Sequence, residues 1–324
     1  MISKYWITRG ALIAAGMLLA ATTARAQFID QDAVQAVLEH PQVPLDDLPD
    51  VYYDYYIFDY PDSNTVLARN KLYKLIGDGD AVKGTDRARL IEMLNRVRME
   101  NVEIGDTLVI PASTDMYALD YRAYSPFPRY YPGGKDFDKL FIIDETIQAF
   151  GAYEYGQLVR WGVVNTGSAE HPTTPGRYNF NWKEPYRVSS LSPPGEKWEM
   201  YWVFNIDNER GIHIHQYAFP TGGPASHGCV RLIDSDARWI YDWADPWTRA
   251  GGGTGYGQGG KLISPGTMVL IIGHNPKGKP HPFDYKKRYP VLLTVDLPAD
   301  PYDVPPATAE QRYFDRMRRL EASR

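Results

Sequence analysis

Ser226-His227-Gly228-Cys229-Val230-Arg231-Leu232 holds the only cysteine of the 324-residue chain. Two more histidines, His213 and His215, lie just upstream, so three of the seven histidines fall in the seventeen residues ending at the thiol. Cysteine attacks carbon as thiolate, and a nearby imidazole is the usual device for generating it near neutral pH. In Gly211-Ile212-His213-Ile214-His215 the histidines alternate with isoleucines. That period of two puts both imidazoles on one face of a strand and both isoleucines on the other. The fold must therefore bring a glycine-containing loop, with Cys229 in it, to the polar face of that strand.

The first 26 residues read as an export address rather than as structure. Lys4 and Arg9 precede an uncharged run from Gly10 to Thr23, and Ala24-Arg25-Ala26 is a small-x-small cleavage site. Without this segment the formal charge moves from −5 to −8, because Lys4, Arg9 and Arg25 leave with it. An acidic chain with no basic cluster is a poor partner for nucleic acid or an anionic lipid surface. A lone free thiol in an oxidising compartment is a liability unless it has a use, which favours catalysis over a buried structural cysteine.

Residues 27–60 are acidic and rich in tyrosine and proline, and read as an extended arm or a surface-packed segment. Apolar spacing predicts a helix over 64–76 stopped by Gly77, then a second over 85–99 capped by Thr85. The helical region 61–114 ends in a Gly105-Asp106 turn and a Leu108-Val109-Ile110-Pro111 strand, and resembles the closing half of a LysM module, a small glycan-binding fold. The alternative is a helical accessory region packed on the main domain. Residues 115–137 read as a linker. A β-rich region follows, with strands expected over 139–150, 158–165, 178–182, 198–206, 211–217 and 266–272 and a helix over 234–243. Residues 274–324 form a proline-rich extension with a basic helix over 309–320.

Attack on an amide needs a nucleophile, a base, oxyanion donors and a grip on the acyl donor. Cys229 supplies the sulfur, and His213 or His215 can meet it. Gly228 allows close backbone approach, and its N–H and that of Cys229 are natural oxyanion donors. Arg231 is a candidate bidentate carboxylate anchor, or a loop-bracing arginine. The chemical rival is zinc held by His-x-His with His-x-Cys, although neither a carboxylate nor further cysteines stand beside that set.

With these residues in place, the chain resembles the L,D-transpeptidase family with its YkuD-type catalytic domain. The family signature is a strand histidine, a loop, Ser/Thr-His-Gly-Cys, and an Arg or Asn two residues on. Leu140-Phe141-Ile142-Ile143-Asp144, Asn165-Thr166-Gly167, Thr174-Pro175-Gly176, the helix around Asp236-Ala237 and the strand at Gly266-Thr267-Met268-Val269 extend the likeness over about residues 138–273. The resemblance implies a mainly β sandwich or distorted barrel, with a helix after the cysteine motif and a small α(+β) region before it. It implies acyl transfer on peptidoglycan stem peptides in the periplasm without a cofactor or metal, and acylation by carbapenem-type inhibitors. It gives Cys229 the nucleophilic role, His215 the base role with His213 as its competitor, and His227 assistance to the sulfur and the intermediate. Ser226, Arg231 and His213 would contact substrate. A hydrolase using water as acceptor at the same site, and a non-catalytic peptidoglycan-binding protein, are the competing readings. Residues 184–197 or the glycine-rich stretch 251–260 are expected to close part of the cleft.

Overall fold

The computed structural model describes residues 31–39, 42–218, 223–252 and 259–323. The expected export segment and most of the glycine-rich stretch lie outside these residues.

The N-terminal part contains helix α1 (Gln31–Leu38), strand β1 (Tyr53–Ile57), helices α2 (Thr65–Ile76) and α3 (Ala81–Asn95), and strand β2 (Thr107–Pro111). β1 pairs antiparallel with β2, from Tyr53 opposite Pro111 to Ile57 opposite Thr107. The tyrosine run read as an extended arm is thus the opening strand of a β-α-α-β unit. The sequence hid this because Tyr-Asp-Tyr-Tyr lacks a clean apolar alternation. Asn64 caps α2 by accepting from the Leu67 N–H, and Gly77 ends it. The second helix starts earlier than expected: Asp80 caps it by accepting from the Val82 and Lys83 N–H groups, while the Thr85 hydroxyl donates back to Ala81 inside the first turn.

The β-rich part runs β3 (Leu140–Asp144), β4 (Ala149–Glu154), β5 (Gln157–Val163), β6 (Gly176–Asn179), β7 (Lys183–Val188), β8 (Glu199–Asp207), β9 (Ile212–Gln216), β10 (Val230–Leu232), α4 (Asp234–Trp243), β11 (Thr248–Arg249), β12 (Leu262–Ser264) and β13 (Met268–Ile272). The C-terminal part adds β14 (Phe283–Asp284), β15 (Val291–Leu292) and α5 (Ala309–Ala322). The single strand expected over 139–150 is a hairpin, β3 and β4, turning at Gln148 with φ +53°. Two principal sheets form, in the orders β5-β4-β3-β13-β6 and β10-β9-β8-β7. Neither closes, so the mainly β reading holds as a sandwich and the barrel alternative does not.

The central sheet is buried on both faces, which is why β3 reads as a continuous apolar run. Phe141 and Ile143 face the second sheet, and with Phe150 of β4 and Phe180 just past β6 they meet its Phe204, Ile212, Ile214, Val230 and Leu232 to complete one core. Leu140 and Ile142 face the other way, into a core shared with the helices of the β-α-α-β unit. That second core also takes Tyr117, Tyr121, Tyr124, Phe127 and Tyr131, so residues 115–137 are a packed layer and not a free linker. Successive ring pairs, Phe141–Phe150 at 5.1 Å, Phe141–Phe180 at 5.6 Å and Phe180–Phe204 at 4.3 Å, run from one sheet to the other. α4 starts at Asp234 as the sequence predicts, but Ile233 occupies the cap position and makes no side-chain cap bond.

The C-terminal extension is docked as well. Arg177 on β6 is almost fully buried and meets Asp315 of α5 at 2.6 Å, Gln311 at 2.6 Å and the Val304 carbonyl at 3.1 Å. The Arg177 guanidinium also lies over the Tyr302 ring. Removing one partner of such a pair strands the other charge in a dry site, at a cost of about 3–5 kcal/mol. Asp315→Ala should therefore lower the midpoint of urea unfolding clearly. Asp284→Ala, whose side chain only caps a turn at the Lys286 N–H, should leave it nearly unchanged.

Candidate active site

β10 runs parallel to β9, with Val230 opposite Ile214 and Arg231 opposite His215. Continued one residue back, this register places Cys229 beside His213. Val230 and Leu232 point into the core with Ile212 and Ile214. The alternate residues Cys229, Arg231, His213 and His215 all line one cleft of about 360 Å³.

The Cys229 Sγ lies 3.9 Å from His213 Nδ1 and 3.8 Å from the Gly211 carbonyl oxygen. His213, not His215, is therefore the imidazole that meets the sulfur. His215 is buried one step deeper, with Nδ1 2.8 Å from the Gln216 carbonyl oxygen. That contact makes Nδ1 the protonated nitrogen of His215. The sequence placed both rings on the right face, but the strand register selects between them.

Burial holds the His213 imidazole down to about 4, with the Arg187 charge adding to it. Burial takes His215 to about 3, with His213 and Arg231 adding. The Cys229 thiol is pushed up by burial, against the opposing pull of a hydrogen bond with the His213 backbone and of the Arg231 charge. The resting pair is thus a neutral thiol and a neutral imidazole, not the standing thiolate expected from the sequence. Desolvation outweighs the single nearby cation. For Nδ1 to take the thiol proton, Nε2 must carry the ring hydrogen. Nε2 is buried and has no hydrogen-bond partner among the described residues. The Trp182 ring packs edge-on against the imidazole at 5.3 Å. An imidazolium here would leave a charged N–H unsatisfied, which keeps the ring neutral until proton transfer occurs.

The loop before Cys229 is locked internally. The Ser226 hydroxyl donates to the Cys229 carbonyl and accepts from the Gly228 N–H at 3.1 Å. The Thr173 hydroxyl donates to the Gly228 carbonyl at 2.8 Å and accepts from the Gly167 N–H at 2.9 Å. Gly228 has φ +104°, and a Cβ there would sit 2.9 Å from Ile212 Cδ1, so only glycine fits. Two expectations change. Ser226 is 1% exposed, and its hydroxyl is engaged in bracing the loop. The Gly228 N–H is engaged by Ser226, so the donor that follows it, the Cys229 N–H, is the better placed of the two for an oxyanion.

His227 makes no hydrogen bond to the sulfur among the described residues. It is exposed and lies between the His171 ring at 4.9 Å and the Trp198 ring at 5.4 Å, forming a three-ring rim over the cleft. His171 and Trp198 were invisible as site residues because they come from distant segments. Ser189, Ser190 and Leu191, from the segment expected to cover the cleft, line it together with Trp198. Arg231 stacks over Tyr217 at 4.7 Å and has no acidic partner among the described residues. Three arginines, Arg187, Arg210 and Arg231, line the cleft against one carboxylate, Glu209. Arg210 is committed to Asp207 at 2.8 Å and to the Tyr178 hydroxyl at 2.8 Å. The cleft thus presents a half-buried thiol against a buried imidazole, beside an unneutralised guanidinium, suited to a substrate bearing a carboxylate.

Residues 138–271 match the YkuD family, the L,D-transpeptidase catalytic domain. Among solved structures, the chain is similar to an L,D-transpeptidase from Mycobacterium smegmatis at 20% identity, over 42% of this chain and 58% of that one, with a TM-score of 0.33. An L,D-transpeptidase from Stackebrandtia nassauensis shares 25% identity over 44% of this chain and 58% of that one, with a TM-score of 0.33. The catalytic domain of the E. faecium L,D-transpeptidase shares 20% identity over 42% of this chain and 97% of that one, with a TM-score of 0.31. The chain thus spans somewhat over half the length of the first two. No curated protein matches the chain.

His213 and His215 bind protons more weakly folded than unfolded. A depressed folded pKa gives stability that is complete above the ordinary histidine value near 6.5 and is lost as pH falls from there towards 4. Unfolding free energy should therefore decline across that window. His215→Gln should flatten the decline, as read by urea unfolding at pH 7, 5.5 and 4.5.

Proposed function

With residues 138–271 matching a YkuD-type L,D-transpeptidase catalytic domain, we propose that this protein is an exported L,D-transpeptidase acting on the tetrapeptide stems of peptidoglycan. The observation that carries this reading is the His213–Cys229 pair in a cleft whose Arg231 lacks an acidic partner among the described residues. As the sulfur attacks the carbonyl on the carboxyl side of the stem's L-centre, His213 Nδ1 accepts the thiol proton. The Cys229 N–H faces the developing oxyanion. Collapse of the tetrahedral adduct expels the terminal D-alanine, whose amine takes the proton back from His213, and leaves a thioester. An amine of a second stem attacks the thioester, His213 removes its proton, and the thiol is restored with a new amide formed. Arg231 holds a substrate carboxylate, and the rim of His171, His227 and Trp198 shelters the thioester from water. Export through residues 1–26 would deliver the enzyme to the periplasm. The β-α-α-β unit, which now has both its strands, extends the LysM-like reading and would hold the enzyme near glycan.

Incubating the protein with purified tetrapeptide muropeptides and resolving the products by mass spectrometry tests the reading. Cross-linked dimers support transfer, free tripeptides indicate hydrolysis by the same site, and unchanged substrate overturns both. Cys229→Ala should abolish turnover. His213→Ala should cost on the order of 10²–10⁴-fold in rate, the range for a lost general base, and His215→Ala much less. A carbapenem should add its mass to the wild type and not to Cys229→Ala. The acid limb of the pH–rate profile should lie near pH 4, following His213, instead of near 6.5.

A further inference from the structure

Arg231 is the guanidinium that the chemistry above keeps for a substrate carboxylate, and its backbone is fixed from inside the sandwich. Its N–H donates to the Asn165 carbonyl, and its carbonyl accepts from the Asn165 N–H, each at 3.0 Å. The neighbouring Thr166 carbonyl accepts from the Ala225 and Ser226 N–H groups at 3.1 and 3.0 Å. The side chain is aimed by something else. Its guanidinium lies over the Tyr217 ring at 4.7 Å, and that ring also meets His215 edge-on at 6.0 Å. Tyr217 and Arg231 both line the cleft. Tyr217 is the first residue past β9, and its N–H still donates to the Leu232 carbonyl at 3.2 Å. Its own carbonyl is satisfied from 186 residues away.

That partner is Gln31, the first residue of α1, whose side-chain N–H donates to the Tyr217 carbonyl at 2.8 Å. The Gln31 side-chain oxygen accepts from the Gln216 side-chain N–H at 3.1 Å. One amide thus clasps two successive residues at the end of β9. The peptide between them carries the Gln216 carbonyl, which accepts from His215 Nδ1 at 2.8 Å. Gln31 is half-buried, and Val34 and Leu38 of the same helix are buried in the core shared with the β-α-α-β unit, so the clasp is mounted on a packed element.

We propose that Gln31 is a positioning residue for the carboxylate anchor: by clasping Gln216 and Tyr217 it holds the Tyr217 ring against the Arg231 guanidinium and so aims that charge into the cleft. This rests on the acyl-transfer reading, in which Arg231 holds a substrate carboxylate. A bidentate grip needs the planar guanidinium presented in one orientation, while a free arginine side chain samples many. Stacking on an aromatic face removes much of that freedom before substrate arrives, so less is lost on binding. The ring can serve in this way only while its own backbone is held, and past the end of β9 Gln31 is the side chain that holds it.

The test is steady-state kinetics of the full chain on tetrapeptide stems whose carboxylates are either free or amidated. The wild type should prefer the free-carboxylate stem. Gln31→Ala should raise KM for that stem roughly three- to tenfold, the scale of one hydrogen bond's net worth, and change kcat less than about twofold. On the amidated stem the two proteins should match, because the anchor has nothing to grip. Gln35→Ala, on the same helix but bonded only to Glu39 at 2.6 Å, should leave every constant unchanged. In an Arg231→Gln background, Gln31→Ala should add nothing, since the two residues act as one unit. An unchanged KM in Gln31→Ala would overturn the proposal. So would an equal loss on both stems, or a loss that persists in the Arg231→Gln background, since the clasp would then support the cleft as a whole. A wild type indifferent to amidation would remove the anchor role of Arg231, and that of Gln31 with it, while acyl transfer stood. Absence of turnover on either stem would instead sink the acyl-transfer reading itself.

Discussion

The parallel pairing of β9 with β10 is the constraint on which the site depends. Its register sets Cys229 against His213 and Arg231 against His215. A slip of one residue would turn the sulfur and the guanidinium into the core and bring Val230 and Leu232 into the cleft. Those two side chains are fully buried, and each contributes roughly 1.5–3 kcal/mol. Ordering the three residues of β10 costs about 1–2 kcal/mol each. The two sums nearly balance, so the strand alone would hold the register weakly. The bonds of Thr173, Ser226 and Thr166 to the loop supply the difference, which explains why so many buried polar groups converge on one short turn.

Burial has a second consequence for the chemistry. The face that makes the imidazoles meet the sulfur also strips them of water, and desolvation favours neutral forms on both partners. The pair is consequently a thiol and a base awaiting substrate, not a preformed ion pair. Such an arrangement protects a lone cysteine from adventitious oxidation, because susceptibility follows thiolate character and exposure. It also leaves the Arg231 charge available to substrate instead of being spent on a thiolate.

The parts flanking the sandwich are integral to it. The β-α-α-β unit packs on the outer face of the central sheet, and the layer from Tyr117 to Tyr131 fills the space between them. The C-terminal helix is anchored through Arg177. The tyrosine-rich stretches looked like linkers because tyrosine suits surface and core alike, and only the tertiary partner decides which face is covered. Strands made of strict apolar alternation or of continuous apolar residues, such as β9 and β3, were legible. The hairpin between β3 and β4 was not, because Glu145-Thr146-Ile147-Gln148 carries no glycine or proline to mark its turn.

By itself the sequence determined the one candidate nucleophile, the common face of His213 and His215, the requirement for glycine at 228 and the mainly β architecture. Each follows from local chemistry or a two-residue period, which neighbouring residues encode without help from the rest of the chain. Which histidine meets the sulfur, and that Ser226 braces the loop while His227 stands at the rim, were decided only in three dimensions. Register between strands, depth of burial and hydrogen bonds between residues as far apart as Thr166 and Ser226 depend on how two sheets settle against each other. No local pattern records that outcome.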